Sequence, residues 1–164
     1  MSDIQEKAHY ISVTGIIRNK EGKYLICKRS PTEKNFPNKW CVPGGKVERK
    51  DLNDETKNKK ADFGQWLDVF EKVLEREIYE ETGLKIKNIR YASNIAFTRT
   101  DGFTGFVISL YADLDEDNTT KVKIDNEAFT DYAWINAEEA KNYDLIENIL
   151  EQIQKVEEKY KQIN

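Results

Sequence analysis

Glu77, Glu80 and Glu81 fall within five residues of one another in REIYEETGL, residues 76–84, between Arg76 and Gly83. On a helix they are i, i+3 and i+4 neighbours, and like charges at that spacing repel by about a few tenths of a kcal/mol each. Gly83 is a common helix stop, so the anions also crowd a last turn whose dipole disfavours them. A positive partner is needed to offset both costs. Clustered carboxylates with no His or Cys among them suit a hard divalent cation, Mg²⁺ or Mn²⁺, rather than zinc. Mg²⁺ is commonly held by one or two carboxylates together with substrate phosphates, and a bound cation activates water, so the cluster points to phosphate chemistry. Upstream, PGGKVE at 43–48 offers flexible backbone at Gly44 and Gly45 and a cation at Lys46. Such a turn can bring a carbonyl or an amide against a metal or a phosphate.

The element that must carry the cluster is a helix from about Gln65 to Thr82, because Leu67, Phe70, Leu74 and Ile78 recur every three or four residues. At about 100° per residue all four lie within about 40° of Leu74, while Glu81, Glu77 and Glu80 fall about 20°, 60° and 120° to one side. The trio is therefore on or beside the core-facing stripe, whereas Glu71 and Glu75 on the other flank suit a solvated surface. Gly83 closes the helix.

Around it, residues 8–29 read as two strands joined at Asn19–Gly22, with His9 a structural residue of the first strand that lacks nearby partners. Trp40–Val42 makes a brief strand before the glycine turn. Residues 49–64, RKDLNDETKNKKADFG, have no usable period and nearly balanced charges, the pattern of an inert solvated insertion rather than a lid or a dimer contact. Leu84–Leu114 reads as two long strands with a hairpin near Thr100, Asp101 and Gly102. Strands follow at Thr120–Ile124 and Thr130–Ile135. Asn136 with Glu139 forms a capping box for a last helix carrying Ile146, Ile149, Leu150, Ile153 and Val156. The order implies an α+β fold, a mixed and mainly antiparallel sheet with helices on two sides.

A chain of 164 residues makes one domain, here 1–164. A net charge of −4 and a pI near 5.3 advertise neither a long nucleic acid nor an anionic membrane, and leave a small, charge-rich ligand. No apolar run follows a basic start and no stretch reaches bilayer length, so a cytoplasmic protein is expected. Cys27 and Cys41 lack metal-ligand spacing and read as reduced, semi-buried thiols. A homodimer remains open.

PGGKVE and REIYEETGL together resemble the two ends of the Nudix box, the signature of the Nudix hydrolases, and the second half matches at every specified position. Counted back from Arg76, the acid that precedes the arginine by eight in that family is Asp68, with 22 residues between it and Gly45 where the family has five. The excess, 22 − 5 = 17 residues, matches the insertion. Asp68 either orients Arg76 or is simply an acid at the helix start.

The resemblance implies an α/β/α sandwich in which Glu77, Glu80 and Glu81 bind Mg²⁺ or Mn²⁺ and Glu77 orients or deprotonates the attacking water. Arg76 would hold Glu77, Gly44 would offer a carbonyl to a metal, and Lys46 would meet a phosphate. Glu127 is the candidate for a further metal-site glutamate outside the box, and Arg29 for another phosphate contact. Trp40, Phe97 and Phe103 are candidates to stack on a base, although strand aromatics are more often core. The implied reaction is attack by water on a pyrophosphate linkage in a nucleoside diphosphate joined to a group X. Nucleoside triphosphates come first as substrates, then nucleotide sugars and ADP-ribose. Two other classes compete: an isopentenyl diphosphate isomerase, which would use Cys41, and a non-catalytic nucleotide-binding module, which would have no need of the costly trio.

Overall fold

The computed structural model describes residues 6–118 and 121–163. The first two strands, β1 (Tyr10–Arg18) and β2 (Tyr24–Arg29), are nearly continuous apolar runs, and Tyr24 to Cys27 are all buried. Strands buried on both faces belong at the centre of a sheet. The expected turn joins them, with Asn19 Oδ1 accepting from the Lys23 amide at 2.9 Å, yet they pair only at Arg18 and Tyr24. Beyond that point each takes other neighbours. β1 runs parallel to β6 (Thr104–Leu114) and holds β4 (Gly44–Lys46) on its other edge. β2 lies between β3 (Trp40–Cys41) and β7 (Phe129–Ile135), and β5 (Ile86–Thr98) forms a long hairpin with β6. The mixed, mainly antiparallel sheet is thus two half-sheets, β4-β1-β6-β5 and β3-β2-β7, sharing the β1–β2 corner.

Helices cover both faces. Helix α1 (Val69–Thr82) buries Val73, Leu74 and Ile78, and Leu74 lies against Gly15 of β1. Helix α2 (Ile149–Ile163) buries Ile149, Ile153, Val156 and Tyr160, with the Tyr160 ring edge-on to Tyr111 of β6 at 5.4 Å. Gly15 pairs with Leu110 and Ile16 with Tyr111, so adjacent residues of β1 and β6 face different helices. Among the described residues no helix is long and apolar enough to cross a membrane.

Several local expectations are corrected. Helix α1 begins at Val69, not Gln65, because residues 65–67 pair with the insertion: Asn58 donates to the Gln65 carbonyl at 2.8 Å and Leu67 to the Thr56 carbonyl at 2.7 Å. Asp68 then takes a left-handed backbone, φ 54°, and Leu67 is 55% exposed instead of lying on the apolar stripe. The insertion is mostly exposed, as read, but it has structure of its own. It opens with a 3-10 turn at Arg49–Asp51, buries Asp51 and Thr56, and closes on itself through the Lys57–Trp66 bridge. The Asn136–Glu139 box is real, with Asn136 Oδ1 accepting from the Glu139 amide and Glu139 Oε2 from the Asn136 amide, both at 2.8 Å. It caps a short turn, Glu139–Asn142, and α2 starts later, leaving Ile146 outside it. Residues 121–124 form no strand, while Thr120 lies outside the described residues. His9 precedes β1 and does have partners, the Thr104 hydroxyl and the Phe106 ring at 5.3 Å.

Leu74 is fully buried at the α1–β1 contact, so Leu74→Ala should lower unfolding free energy by about 2–5 kcal/mol. Urea denaturation measures the loss, which would be well under 1 kcal/mol were the helix loosely packed.

Candidate active site

Two elements meet at the glutamates. β4 pairs with β1 so that Gly44 lies opposite Thr14 and Gly45 opposite Val13, and α1 crosses the Gly45 side. A Cβ on Gly45 would lie 2.1 Å from Glu77 Cδ, so the Glu77 carboxylate fills the space that any other residue type would occupy. At Gly44, φ is 152° and a Cβ would meet the Val13 carbonyl at 2.2 Å, so no side chain fits there either. The Gly44 amide donates to Glu81 Oε2 at 2.9 Å. Thus the Gly44 N–H holds one of the carboxylates directly.

Glu81 is partly buried, the Glu77 side chain is 15% exposed and that of Glu80 is 54% exposed, so Glu80 stands at least as open to solvent as the flank acid Glu75, at 41%, contrary to the division the helical angles suggested. Burial, more than any neighbour, pushes the Glu81 carboxyl up to about 8; the Gly44 amide opposes this and the Glu77 charge adds to it. Glu77 is raised for the same first reason, with Arg76 pulling it down. Arg76 is the hub: Nη1 lies 2.8 Å from Glu77 Oε1 and 3.0 Å from Glu80 Oε2, and Nε donates to Asp51 Oδ1 at 2.9 Å. Its Nη2 is buried without a hydrogen-bond partner.

The donor set here is carboxylate and backbone oxygen at a site where negative charge is buried, which fits a hard divalent cation. Among the described residues, however, no three His, Cys, Asp or Glu side chains already stand in ligand geometry. Glu80 and one Glu77 oxygen are drawn to Arg76 instead. Two carboxylates against a glycine turn agree with the modest protein share of Mg²⁺ coordination.

A sequence profile of the NUDIX domain matches residues 8–156. The chain belongs to the Nudix family. It is a Nudix hydrolase, an enzyme of phosphoric anhydrides, and hydrolases of this family typically need a divalent metal. It is 32% identical over 139 residues to a Klebsiella pneumoniae protein named nucleoside triphosphatase NudI, covering 81% of this chain and 86% of that protein. The protein of that name from Escherichia coli K12 is 31% identical over 140 residues, with 81% and 86% covered. A solved MutT protein from Methanosarcina mazei Go1 shares the fold at a TM-score of 0.66 and 21% identity, over 93% of this chain and 96% of that one.

The Nudix box can now be realigned. Five residues separate Gly45 from Asp51, so the acid of the box stands in register with the glycines and the 17 extra residues follow it. Asp51 is buried, accepts from Arg76 and also from the Glu48 amide at 2.7 Å. Asp68 is exposed and makes no side-chain cap. Counting back from Arg76 missed Asp51; counting forward from Gly45 finds it.

Outside the box the candidates divide. Glu127 is exposed, and its amide donates to Asp125 Oδ1 at 3.0 Å. Asp125, also exposed, adds to Glu77 in raising the Glu81 pKa, and its own amide donates to the Glu81 carbonyl at 2.8 Å. Arg29 turns into the loop after β2, donating through Nε to the Asn35 carbonyl at 2.9 Å and pairing with Glu33, although its charge still lowers the Glu81 pKa. Trp40 is partly buried and packs on the core with its ring edge-on to Tyr143 at 5.0 Å. Phe97 and Lys46 sit on the far face of the β1 half-sheet, exposed. Cys41 is buried opposite Cys27, and burial pushes its thiol up to about 12, which removes the basis for an isomerase using it. Both thiols are buried rather than semi-buried. A cavity of about 540 Å³ between Leu84, Leu114, Val122 and Trp134 is lined by none of the box's carboxylates, by neither of its glycines and not by Arg76.

Asp51→Ala should cost about 3 kcal/mol, because it leaves Arg76 without its buried partner. Asp68→Asn should cost about 0.5 kcal/mol or less; chemical denaturation compares the two, and the reverse order would restore Asp68 to the box. Titration gives a second expectation. Folded Glu81 keeps its proton up to about 8 while the unfolded chain releases it near the ordinary 4.5, so metal-free stability should fall as pH rises across that interval. Thermal melts in chelator at pH 5 and pH 8 should show the decline in the parent chain and a flatter profile in Glu81→Gln.

Proposed function

We propose that the chain is a pyrophosphohydrolase of nucleoside triphosphates that works with Mg²⁺ or Mn²⁺ in the cytoplasm, as one domain with a polar insertion. The observation that carries the proposal is the seating of the Glu77 and Glu81 carboxylates against the Gly44–Gly45 backbone, where burial raises both pKa values and only a cation would favour both anions. The nucleoside triphosphatase name of relatives similar over 81% of the chain supports the substrate class.

When bound, the cation would neutralise phosphate oxygens and lower the pKa of water. The protein's own part is placement. Glu81 is fixed by the Gly44 amide, and Glu77 is oriented by Arg76, which Asp51 in turn holds. Glu77 would orient the attacking water or take its proton as a phosphoanhydride P–O bond breaks, leaving a nucleoside monophosphate and pyrophosphate. Glu80 would join the ligands on leaving Arg76, with the Gly44 carbonyl as a further oxygen. Asp125, linked to Glu81 through the backbone and by its charge, replaces Glu127 as the acid proposed to complete the set.

A panel of nucleoside triphosphates, nucleotide sugars, dinucleoside polyphosphates and ADP-ribose, assayed with each metal, tests the substrate class; the expected product is pyrophosphate from at least one triphosphate. Glu81→Gln should lower kcat about a hundredfold or more while the melting temperature holds or rises. Undiminished turnover in that variant would remove Glu81 from the site.

A further inference from the structure

Three aromatic side chains stand exposed together at one end of the β1 half-sheet: Tyr10 at 40%, Phe97 at 38% and Phe103 at 43%. They are neighbours. The Phe103 ring centroid is 5.2 Å from that of Tyr10, and the Phe97 ring lies over Gly105, where a Cβ would come within 2.6 Å of it. Gly105 pairs with Tyr10 on one side and Phe97 on the other, so a single row across three strands reads Tyr10, Gly105, Phe97. Two cations face the same ring: Arg99 Cζ is 5.4 Å and Lys46 Nζ 6.0 Å from the Tyr10 centroid, with Arg99 also paired to Asp101 at 2.6 Å. Single exposed aromatics need no explanation, but a contiguous group with cations at its edge marks a contact surface.

The place of this group relative to the glycine turn decides its occupant. Tyr10 is three residues before Val13, which pairs with Gly45, a separation of about 10 Å along the strand. Lys46 follows directly on the glycine that seats Glu77, and its side chain emerges on the Tyr10 face while Gly45 meets α1. One three-residue strand therefore ties the carboxylates to the aromatic platform. A ligand with a flat apolar end and a polyanionic tail satisfies both.

On the nucleoside triphosphate reading given above, we infer that Tyr10, Phe97 and Phe103 form the platform on which the substrate's base stacks, with Lys46 at the edge toward the glycine turn and Arg99 at the far edge, beside the hairpin tip. Stacking on aromatics tolerates every base, because each has a π face. Gly105 serves by staying small, since a side chain there would displace Phe97.

The test is calorimetric binding of the α,β-methylene analogues of ATP, GTP, CTP and UTP, alongside inorganic triphosphate, which has no base. For the double variant Y10A/F97A, Kd for the best-bound analogue should rise about tenfold or more, while that for inorganic triphosphate stays within about twofold. Tyr10→Phe, which keeps the ring, should bind like the parent chain. Equal weakening of analogue and triphosphate, or no weakening of either, would overturn the platform. So would sedimentation showing that the parent chain dimerises and the double variant does not, since the aromatics would then face a second copy. Because binding is read without turnover, failure to hydrolyse any triphosphate would sink the proposed activity and leave the platform to be judged on Kd alone.

Discussion

The site depends on a contact that only missing side chains permit, the Glu77 carboxylate resting on the Gly45 backbone. With Glu81 bound to the neighbouring Gly44 amide, it puts two carboxylates on one turn of α1 against a strand only three residues long. Partial burial beside another anion costs each of them free energy, which appears as the rise in their pKa values. The helix does nothing to relieve this, since no basic residue lies in its last turn, where the dipole is already negative. Its C-terminal carbonyls are instead satisfied by backbone. Gly83 donates to Tyr79, Lys123 to Thr82 and Asp125 to Glu81, at 2.9, 2.8 and 2.8 Å. Backbone capping secures the helix end and leaves the charge imbalance in place for a cation.

Arg76 then acts as a brake and a guide. It holds Glu77 and Glu80 while Asp51 holds it, so the arrangement of anions around one guanidinium is set by a residue 25 positions earlier in the chain. The 17-residue interruption lies inside that interval without breaking the contact. Longer loops add closure entropy only slowly, about 0.6 kcal/mol per doubling. Here the interruption also closes on itself: the Thr56 hydroxyl donates to the Asp51 carbonyl at 3.0 Å, and Lys57 bridges to Trp66. Asp51 is therefore fixed from both sides, by the glycine strand before it and by the closed loop after it.

What the sequence made legible follows from the range of the forces involved. Helical angle is a local quantity, and it put Glu81 and Glu77 beside the core, whereas Glu80, the farthest round the helix, is exposed. The Asn136–Glu139 box is local too and forms as read, but how far the helix continues beyond a cap is decided by packing, and here only a short turn follows. The start of α1 differs for the same reason, because residues 65–67 bond to Thr56 and Asn58 of the insertion instead of joining the helix. Asp51 escaped notice because spacing was counted from the arginine across an interruption of unknown position. The parallel union of β1 and β6, separated by 85 residues or more between strand ends, has no local signature at all.

Alternation along β1 links these pieces into one device. Val13 and Gly15 face the carboxylate helix, while Tyr10 and Ser12 face away from it, and β4 repeats the division with Gly45 on one side and Lys46 on the other. Because side chains on a strand alternate strictly, changes on the Tyr10 face need not move the glycine contact that seats Glu77. The residues that surround the anions are constrained by backbone contact and tolerate almost nothing. On the opposite face Ile16 is held in the core beneath α2, but Tyr10 and Lys46 at its exposed end are under no such backbone contact. A fold arranged this way can keep one hydrolytic centre while the groups that choose its substrate vary, and the full match of REIYEETGL to its family pattern beside an aromatic end that carries no such pattern is the sequence expression of that division.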